Sequence, residues 1–367
     1  MADEVISFAR GAPSADILPA DAVRAAAERA LSDDWERALS YGKGAGHPGL
    51  REWVGEAHDL EPEQVMITNG SLEGAAMLFE HNLGAGDEVV VEQPSYDRTL
   101  LLLNRCGVKL VGVPLAEDGI DVGGLESALG EGASPRLVHV IPNFHNPAGC
   151  TLSEEKRHRL VELAAEHGFT LFEDDPYREV GFAGPPMPTM LDLDRADRVI
   201  YASSFSKTVS PGVRVGYLAG PVEAITTLAK RANETYISPN MLAESIVWEL
   251  CRSGGLAENT EIVKRALRER RDALTGALEE HLPEAKFVVP EGGYFLWLTL
   301  NDDVDASALL SSAAEERVAF VPGADFMLEG GRSSLRLSFA SVPPDQIPEG
   351  VARLARALER IRAPSPA

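Results

Sequence analysis

The chain alternates between two hydrophobic rhythms. Short apolar runs recur at residues 65–68, 88–91, 110–113, 137–141, 170–173, 199–202 and 215–219. Most are continuously apolar, the pattern of strands covered on both faces. Stretches of helical period lie between them. In residues 154–167, Leu160, Leu163 and Ala164 recur on one face. Thr151 and Glu154 have the spacing of a capping box before that stretch, and Gly168 stands just past its end. Strands that alternate with helices predict an α/β unit built on a mainly parallel sheet.

The rhythm changes after about Gly255. Residues 258–281 predict one long charged amphipathic helix, and 286–289 with 293–300 predict a strand pair. Residues 317–321 and 334–339 read as further strands, and Ile347, Val351, Leu354, Leu358 and Ile361 mark the apolar stripe of a last helix. The expected organisation is a large unit over residues 46–255. A smaller α+β unit would join residues 1–45 to 256–367. The Ala-rich stretch 20–31 is expected to pack as a helix on that smaller unit. The tail 363–367 is expected to fray. No internal repeat or low-complexity tract interrupts the pattern.

Composition narrows the function classes. The chain has 367 residues, 44% of them apolar, enough for a sizeable core. A formal charge of −23 disfavours binding to nucleic acid, which needs a basic face. Cys106, Cys150 and Cys251 lie far apart with no CxxC pair, so neither a metal site nor a disulfide framework is expected. The start, Met1-Ala2-Asp3-Glu4, lacks the apolar stretch of a signal peptide. No apolar run is long enough to span a bilayer. A cytoplasmic protein without membrane partners is the expectation.

Ligands of open α/β sheets bind outside the carboxyl ends of the strands. After residues 65–68 comes Asn69-Gly70-Ser71, with a helix from near Leu72. Glycine permits close backbone approach, and a helix start offers free N–H groups to an anion. Taken alone, this turn is equally a plain N-cap at Ser71. After 137–141 comes Asn146-Pro147-Ala148-Gly149, and after 170–173 comes Asp174-Asp175-Pro176-Tyr177. After 199–202 come Ser204-Phe205-Ser206-Lys207 and Pro211-Gly212-Val213-Arg214. Singly, each is a common turn or a solvated charge. Together they deliver an amide, a carboxylate with a phenol, and a Ser/Lys/Arg group at three strand ends.

These series, in register with Ile6-Ser7-Phe8-Ala9, Gly292-Gly293-Tyr294-Phe295 and Leu335-Arg336-Leu337-Ser338, resemble the fold-type-I, class I/II aminotransferases. The nearest look is to the branch of aminoadipate, kynurenine, branched-chain and aromatic aminotransferases, and it covers nearly the whole chain. The resemblance implies pyridoxal 5'-phosphate as cofactor, held as a Schiff base on Lys207. It implies an amino acid and a 2-oxo acid as substrates, and a homodimer with its sites at the interface. Lys207 would also move the proton during catalysis. Asp174 would keep the pyridine nitrogen protonated. Asn146 and Tyr177 would bond the ring oxygen, and Tyr96 would stack on the ring. Gly70, Ser71, Leu72, Ser204, Ser206 and Arg214 would hold the phosphate. Arg336 would grip the substrate carboxylate, with Asn146, Arg10 and Gly11 alongside.

Four features depart from that family's pattern. His47 stands where the family usually has a tyrosine that reaches the neighbouring subunit's phosphate; a histidine can donate the same bond, more strongly when charged. Glu73 replaces a usual glutamine and is expected to point away from the phosphate. Arg10 replaces a usual glycine, as a partner for an anionic substrate group, a solvated side chain or an intersubunit salt bridge. The start is short of the helix that usually closes over the substrate, which suggests a more open pocket. A second reading therefore keeps the cofactor and changes the reaction to β- or γ-elimination or replacement, carbon–carbon bond formation, decarboxylation or oxidation. A third, a transcription regulator with an aminotransferase-like domain, is disfavoured by the acidic charge and by the lack of room for a DNA-binding module.

Overall fold

In the computed structural model, which describes residues 4–362, the apolar runs of the first two thirds form one eight-stranded sheet. Across the sheet the order is Val65–Thr68, Gly216–Ala219, Val199–Ser204, Thr170–Asp174, Leu137–Val140, Glu88–Gln93, Lys109–Ala116 and Gly119–Ile120. The strands from Val199–Ser204 to Lys109–Ala116 run parallel. Gly216–Ala219 runs antiparallel to both neighbours, and Gly119–Ile120 folds back on the edge. One face packs Phe79, Phe172 and Leu218, and the other packs Leu160, Tyr201 and Val247. Burial on both faces explains why these strands read as continuous apolar runs rather than alternating ones. It is an α/β architecture, a mainly parallel sheet between helices, as the sequence predicts. The parallel strands end on one edge, and so their following loops gather there.

A smaller antiparallel sheet pairs Ser334–Ser338 with Phe295–Thr299 on one side and Val321–Pro322 on the other. Helices Gly255–His281, Ala306–Glu315 and Ile347–Arg362 cover it around a separate apolar core. The last helix buries Ile347, Val351, Leu354 and Leu358, while Ile361 is exposed. The N-terminal strand Ile6–Ser7 lies parallel to Val318–Ala319.

Several expectations are corrected. The Ala-rich helix runs Ala20–Asp33 and packs on helix Met241–Arg252, not on the C-terminal third. Ala26 and Ala30 are fully buried, so their small side chains let the two helices approach closely. Arg29 then pairs with the buried Glu249 at 3.0 Å. Helix Glu154–His167 forms as expected, but Ser153 precedes it and Thr151 is no cap. The Thr151 hydroxyl instead accepts from the Phe144 N–H at 3.4 Å, tying down a loop of the carboxyl edge. Of residues 286–289, only Lys286 pairs, in a lone bridge with Thr299, and Val288 and Val289 stay exposed. The run 317–321 splits into Val318–Ala319 and Val321–Pro322, which serve different sheets. The expectation for residues 363–367 falls outside the described residues. Among the described residues, no helix is long and apolar enough to cross a membrane.

Candidate active site

Two turns build one wall of a cavity at the carboxyl edge. Gly70 precedes helix Ser71–Asn82 at a φ of 94°, and a Cβ there would lie 2.0 Å from Arg214 Nη2. Only glycine permits both the backbone angle and that approach. A Cβ on Gly216 would press within 2.4 Å of the Ser71 nitrogen. Arg214 itself holds a left-handed φ of 51°. Its guanidinium donates to Asn69 O at 3.1 Å, Pro211 O at 3.3 Å and Ser206 Oγ at 3.4 Å. Ser204 Oγ donates to Ser206 Oγ at 2.9 Å and accepts from the Ser206 N–H at 3.1 Å. A helix start, two hydroxyls and a guanidinium thus converge, which is the donor set for a phosphate. Glu73 turns back along its helix, and its carboxylate accepts from Asn69 N at 2.7 Å and Asn69 Nδ2 at 3.1 Å.

The cavity measures about 290 Å³ and brings together Ser71, Leu72, Tyr96, Asn146, Asp174, Tyr177, Ser204, Ser206, Lys207 and Arg214. A larger cavity of about 540 Å³, beside Trp53, Phe205, Tyr217 and Lys264, shares Ser204 but contains neither Lys207 nor Asp174. The chemistry therefore belongs to the smaller one.

Strand alternation decides which acid faces the cavity. Asp174 lines it and lies 3.5 Å from His139 Nε2 on the adjacent strand. Both ring nitrogens of the fully buried His139 lack hydrogen-bond partners. Glu173 and Asp175 point to the opposite face, as successive strand residues must. Glu173 accepts from the Met190 and Leu191 N–H groups at 3.0 Å, and burial raises its pKa to about 8. Asp175 accepts from Asn143 Nδ2 at 2.8 Å and is pushed up to about 6, again by burial.

Lys207 Nζ donates to Gly11 O at 3.1 Å. Burial first, then the Arg336 and Arg214 cations, lower its pKa from 10.5 to about 8, while Asp174 opposes the shift. A neighbouring carbonyl on the same segment, Ala9 O, accepts from Arg336 Nη2 at 2.9 Å. Arg336 Nη1 donates to Asn146 Oδ1 at 3.0 Å. The Arg336 guanidinium lies 4.3 Å from the Phe295 ring centre and 4.8 Å from that of Phe326. Its Nε is buried without a partner, and its guanidinium meets the cavity through the lining residue Asn146. Burial raises the Tyr177 pKa well above 10, and it stays a phenol.

Two expected residues sit elsewhere. His47 is fully buried within the chain. Its Nδ1 accepts from the Leu50 N–H at 3.2 Å as the cap of helix Pro48–His58, and its ring lies 5.0 Å from that of Trp248. Burial, with Arg37 nearby, lowers its pKa to about 4. A neutral, inward capping ring does not reach a neighbouring subunit's phosphate, which corrects that expectation. Arg10 is exposed and forms no ion pair among the described residues, so it stands outside the cluster even though its neighbour Gly11 reaches Lys207. Tyr294 was missed. It lies at the back of Lys207, and its Gly-Gly-Tyr-Phe setting gave no hint of a contact made only by the fold.

The donor set fits pyridoxal phosphate: a phosphate seat, an acid, an amine and an aromatic side chain, Tyr96, line one cavity. The family model for class I and II aminotransferases matches residues 3–354. The 2-aminoadipate transaminase of Thermus thermophilus is 36% identical over 98% of this chain and 91% of its own length. Aromatic-amino-acid aminotransferase 1 of Thermococcus litoralis is 34% identical over 97% of this chain and 88% of its own. The crystal structure of an α-aminoadipate aminotransferase from Thermus thermophilus, complexed with N-(5'-phosphopyridoxyl)-L-leucine, superposes with a TM-score of 0.93. It is 36% identical and covers 98% of this chain and 93% of that one.

Proposed function

Since the chain belongs to the class I and II aminotransferase family, and moves an amino group between an amino acid and a 2-oxo acid with pyridoxal phosphate, we propose that the cavity around Lys207 is where it does so. One observation carries the reading. Asp174, Lys207 and Arg214 follow from neighbouring strand ends, and all three line the same cavity. Pyridoxal phosphate, when bound, supplies a ring that accepts electron density from the carbon losing its proton.

This chain's residues do the rest. Lys207 supplies the amine that bonds the cofactor, and once displaced it takes a proton at Nζ and returns it. Asp174 would keep a proton on the ring nitrogen, with His139 Nε2 3.5 Å from its carboxylate. Tyr96 would stack on the ring, and Asn146 and Tyr177, which line the same cavity, would hydrogen-bond its oxygen. The N–H groups of the Gly70–Leu72 turn, with Ser204, Ser206 and Arg214, hold the phosphate. Arg336 grips the substrate α-carboxylate and fixes the bond to be broken. Its aromatic flanks, Phe295 and Phe326, exclude water and so strengthen that grip.

The phosphate seat makes a direct test. Arg214→Ala removes charge-assisted bonds, each about 1.5–3 kcal/mol, and is expected to weaken cofactor retention roughly ten- to a hundred-fold. Equilibrium dialysis against pyridoxal phosphate measures this, with the amino acid KM of the saturated variant little changed. Unaltered retention together with a raised KM would place Arg214 on the substrate instead.

We also propose a homodimer. Trp35, Leu39 and Tyr41 are 54%, 64% and 83% exposed within one short stretch of chain, more apolar surface than a lone protomer usually shows there. Tyr41, not His47, is then the side chain free to reach a partner. Sedimentation velocity is expected to give twice the chain mass, and Leu39→Glu to shift the boundary toward one. A wild-type protein that sediments as a single chain while active ends this part of the reading.

A further inference from the structure

Tyr294 is assigned neither to the cofactor nor to the substrate, yet it meets Lys207 at two points. Its ring centre lies 4.9 Å from Nζ, and its hydroxyl donates to the Lys207 carbonyl oxygen at 3.3 Å. The Tyr177 ring centre lies 5.4 Å from the same nitrogen. The two rings stand 5.7 Å apart at 53°. With the Gly11 carbonyl at 3.1 Å, they make a three-walled cradle for the amine. Ring faces carry partial negative charge and attract an ammonium. They bind it without a localised carboxylate charge, so the cradle can release what it holds.

The ring is a fixed wall. Tyr294 leads into strand Phe295–Thr299, and its carbonyl accepts from the Phe339 N–H at 3.1 Å. Gly293, at a φ of 70°, lies so close to Phe144 that a Cβ would come within 2.5 Å of it. Tyr294 is fully buried, and burial holds its phenol protonated. It belongs to the core of the smaller sheet, whereas Lys207 follows a strand of the large one. The cradle therefore spans the two packed bodies.

We propose that Tyr294 is a positioning residue that forms, with Tyr177 and the Gly11 carbonyl, the resting place of the Lys207 amine whenever it is not bonded to the cofactor. This rests on the reading of Lys207 as the cofactor lysine. When Nζ takes a proton from the substrate carbon, the resulting ammonium is met by the carbonyl and the ring faces. When Nζ gives the proton back, the neutral amine is held less firmly and leaves. No bond in the cradle itself is made or broken beyond these contacts.

The test uses the full-length protein in its pyridoxamine-phosphate form, where the amine is free. Cyanate carbamoylates only the neutral amine, and peptide mass spectrometry follows the Lys207 peptide across pH. Tyr294→Leu is expected to move the labelling midpoint down by about half a pH unit or more, because the lost ring face favoured the charged form. Tyr294→Phe keeps the ring and is expected to label with the wild-type midpoint. Tyr294→Met fills the same space without a ring and should behave as the leucine variant, which separates cradle loss from local unfolding. The half-reaction with a 2-oxo acid should slow in kcat and keep its KM in both non-aromatic variants. An unchanged midpoint in both overturns the proposal. If borohydride reduction of wild-type holoprotein fixes the cofactor to a different peptide, the Lys207 reading fails instead.

Discussion

Lys207→Ala is expected to yield a folded protein that holds no cofactor covalently and shows no measurable amino transfer. Removing a positioned proton carrier alone costs roughly 10²–10⁴-fold. On the proposed reading the same nitrogen also anchors the cofactor, so both losses fall on one substitution. Borohydride reduction of wild-type holoprotein should add one phosphopyridoxyl group to the Lys207 peptide and none to the variant. Turnover would be followed as 2-oxo acid formed from an amino acid donor; a variant that retains wild-type turnover would sink the assignment. The wild-type amine carries its own pH signature. With a pKa near 8 rather than 10.5, about a tenth of it is neutral at pH 7, against roughly three in ten thousand for an ordinary lysine. Capture of pyridoxal phosphate by the apoprotein should therefore accelerate with pH and level off above about 8. The sign follows from the chemistry, since only the neutral amine attacks.

The second large effect is at Arg336. Truncating a buried, hydrogen-bonded member of a charge pair costs about 2–5 kcal/mol. Arg336→Ala is accordingly expected to lower kcat/KM for α-amino acids by roughly 30-fold to several thousand-fold. Cofactor retention should be preserved, because Arg336 touches Ala9 and Asn146 rather than the phosphate seat. Arg336→Lys should recover little, since a lysine offers a point charge where a planar fork is needed. Unchanged kinetics in Arg336→Ala would move the carboxylate site away from Arg336.

Much of this architecture was legible along the chain. The continuous apolar runs at residues 65–68, 137–141 and 199–202 correspond to strands of the large sheet, because burial on both faces leaves no polar position to break the run. Helix Glu154–His167 was legible to the residue, since Gly168 takes the left-handed angle that ends it. Less was legible where a segment packs. An Ala-rich helix fits any close-packed face, and helix Met241–Arg252 offered the nearer one. The strand expected at 286–289 is limited to Lys286, which pairs with Thr299 at the edge of strand Phe295–Thr299, while Val288 and Val289 stay exposed with no layer over them.

His47 and Tyr294 mark the boundary between the two kinds of information. A histidine before Pro48 reads equally as a helix cap or as a hand extended to a neighbour, and only burial against Trp248 and Asp34 made it a cap. Tyr294 lies 87 residues from Lys207 along the chain, and no local pattern encodes that contact. The sequence by itself determined the sheet, the order of the loops at its carboxyl edge and the chemical types those loops carry, because apolar periodicity and turn chemistry are local. The tertiary structure alone decided that His47 turns inward, how far Lys207 is shifted from an ordinary lysine and what cradles its amine. Those outcomes depend on desolvation and on charges and rings brought close from distant segments.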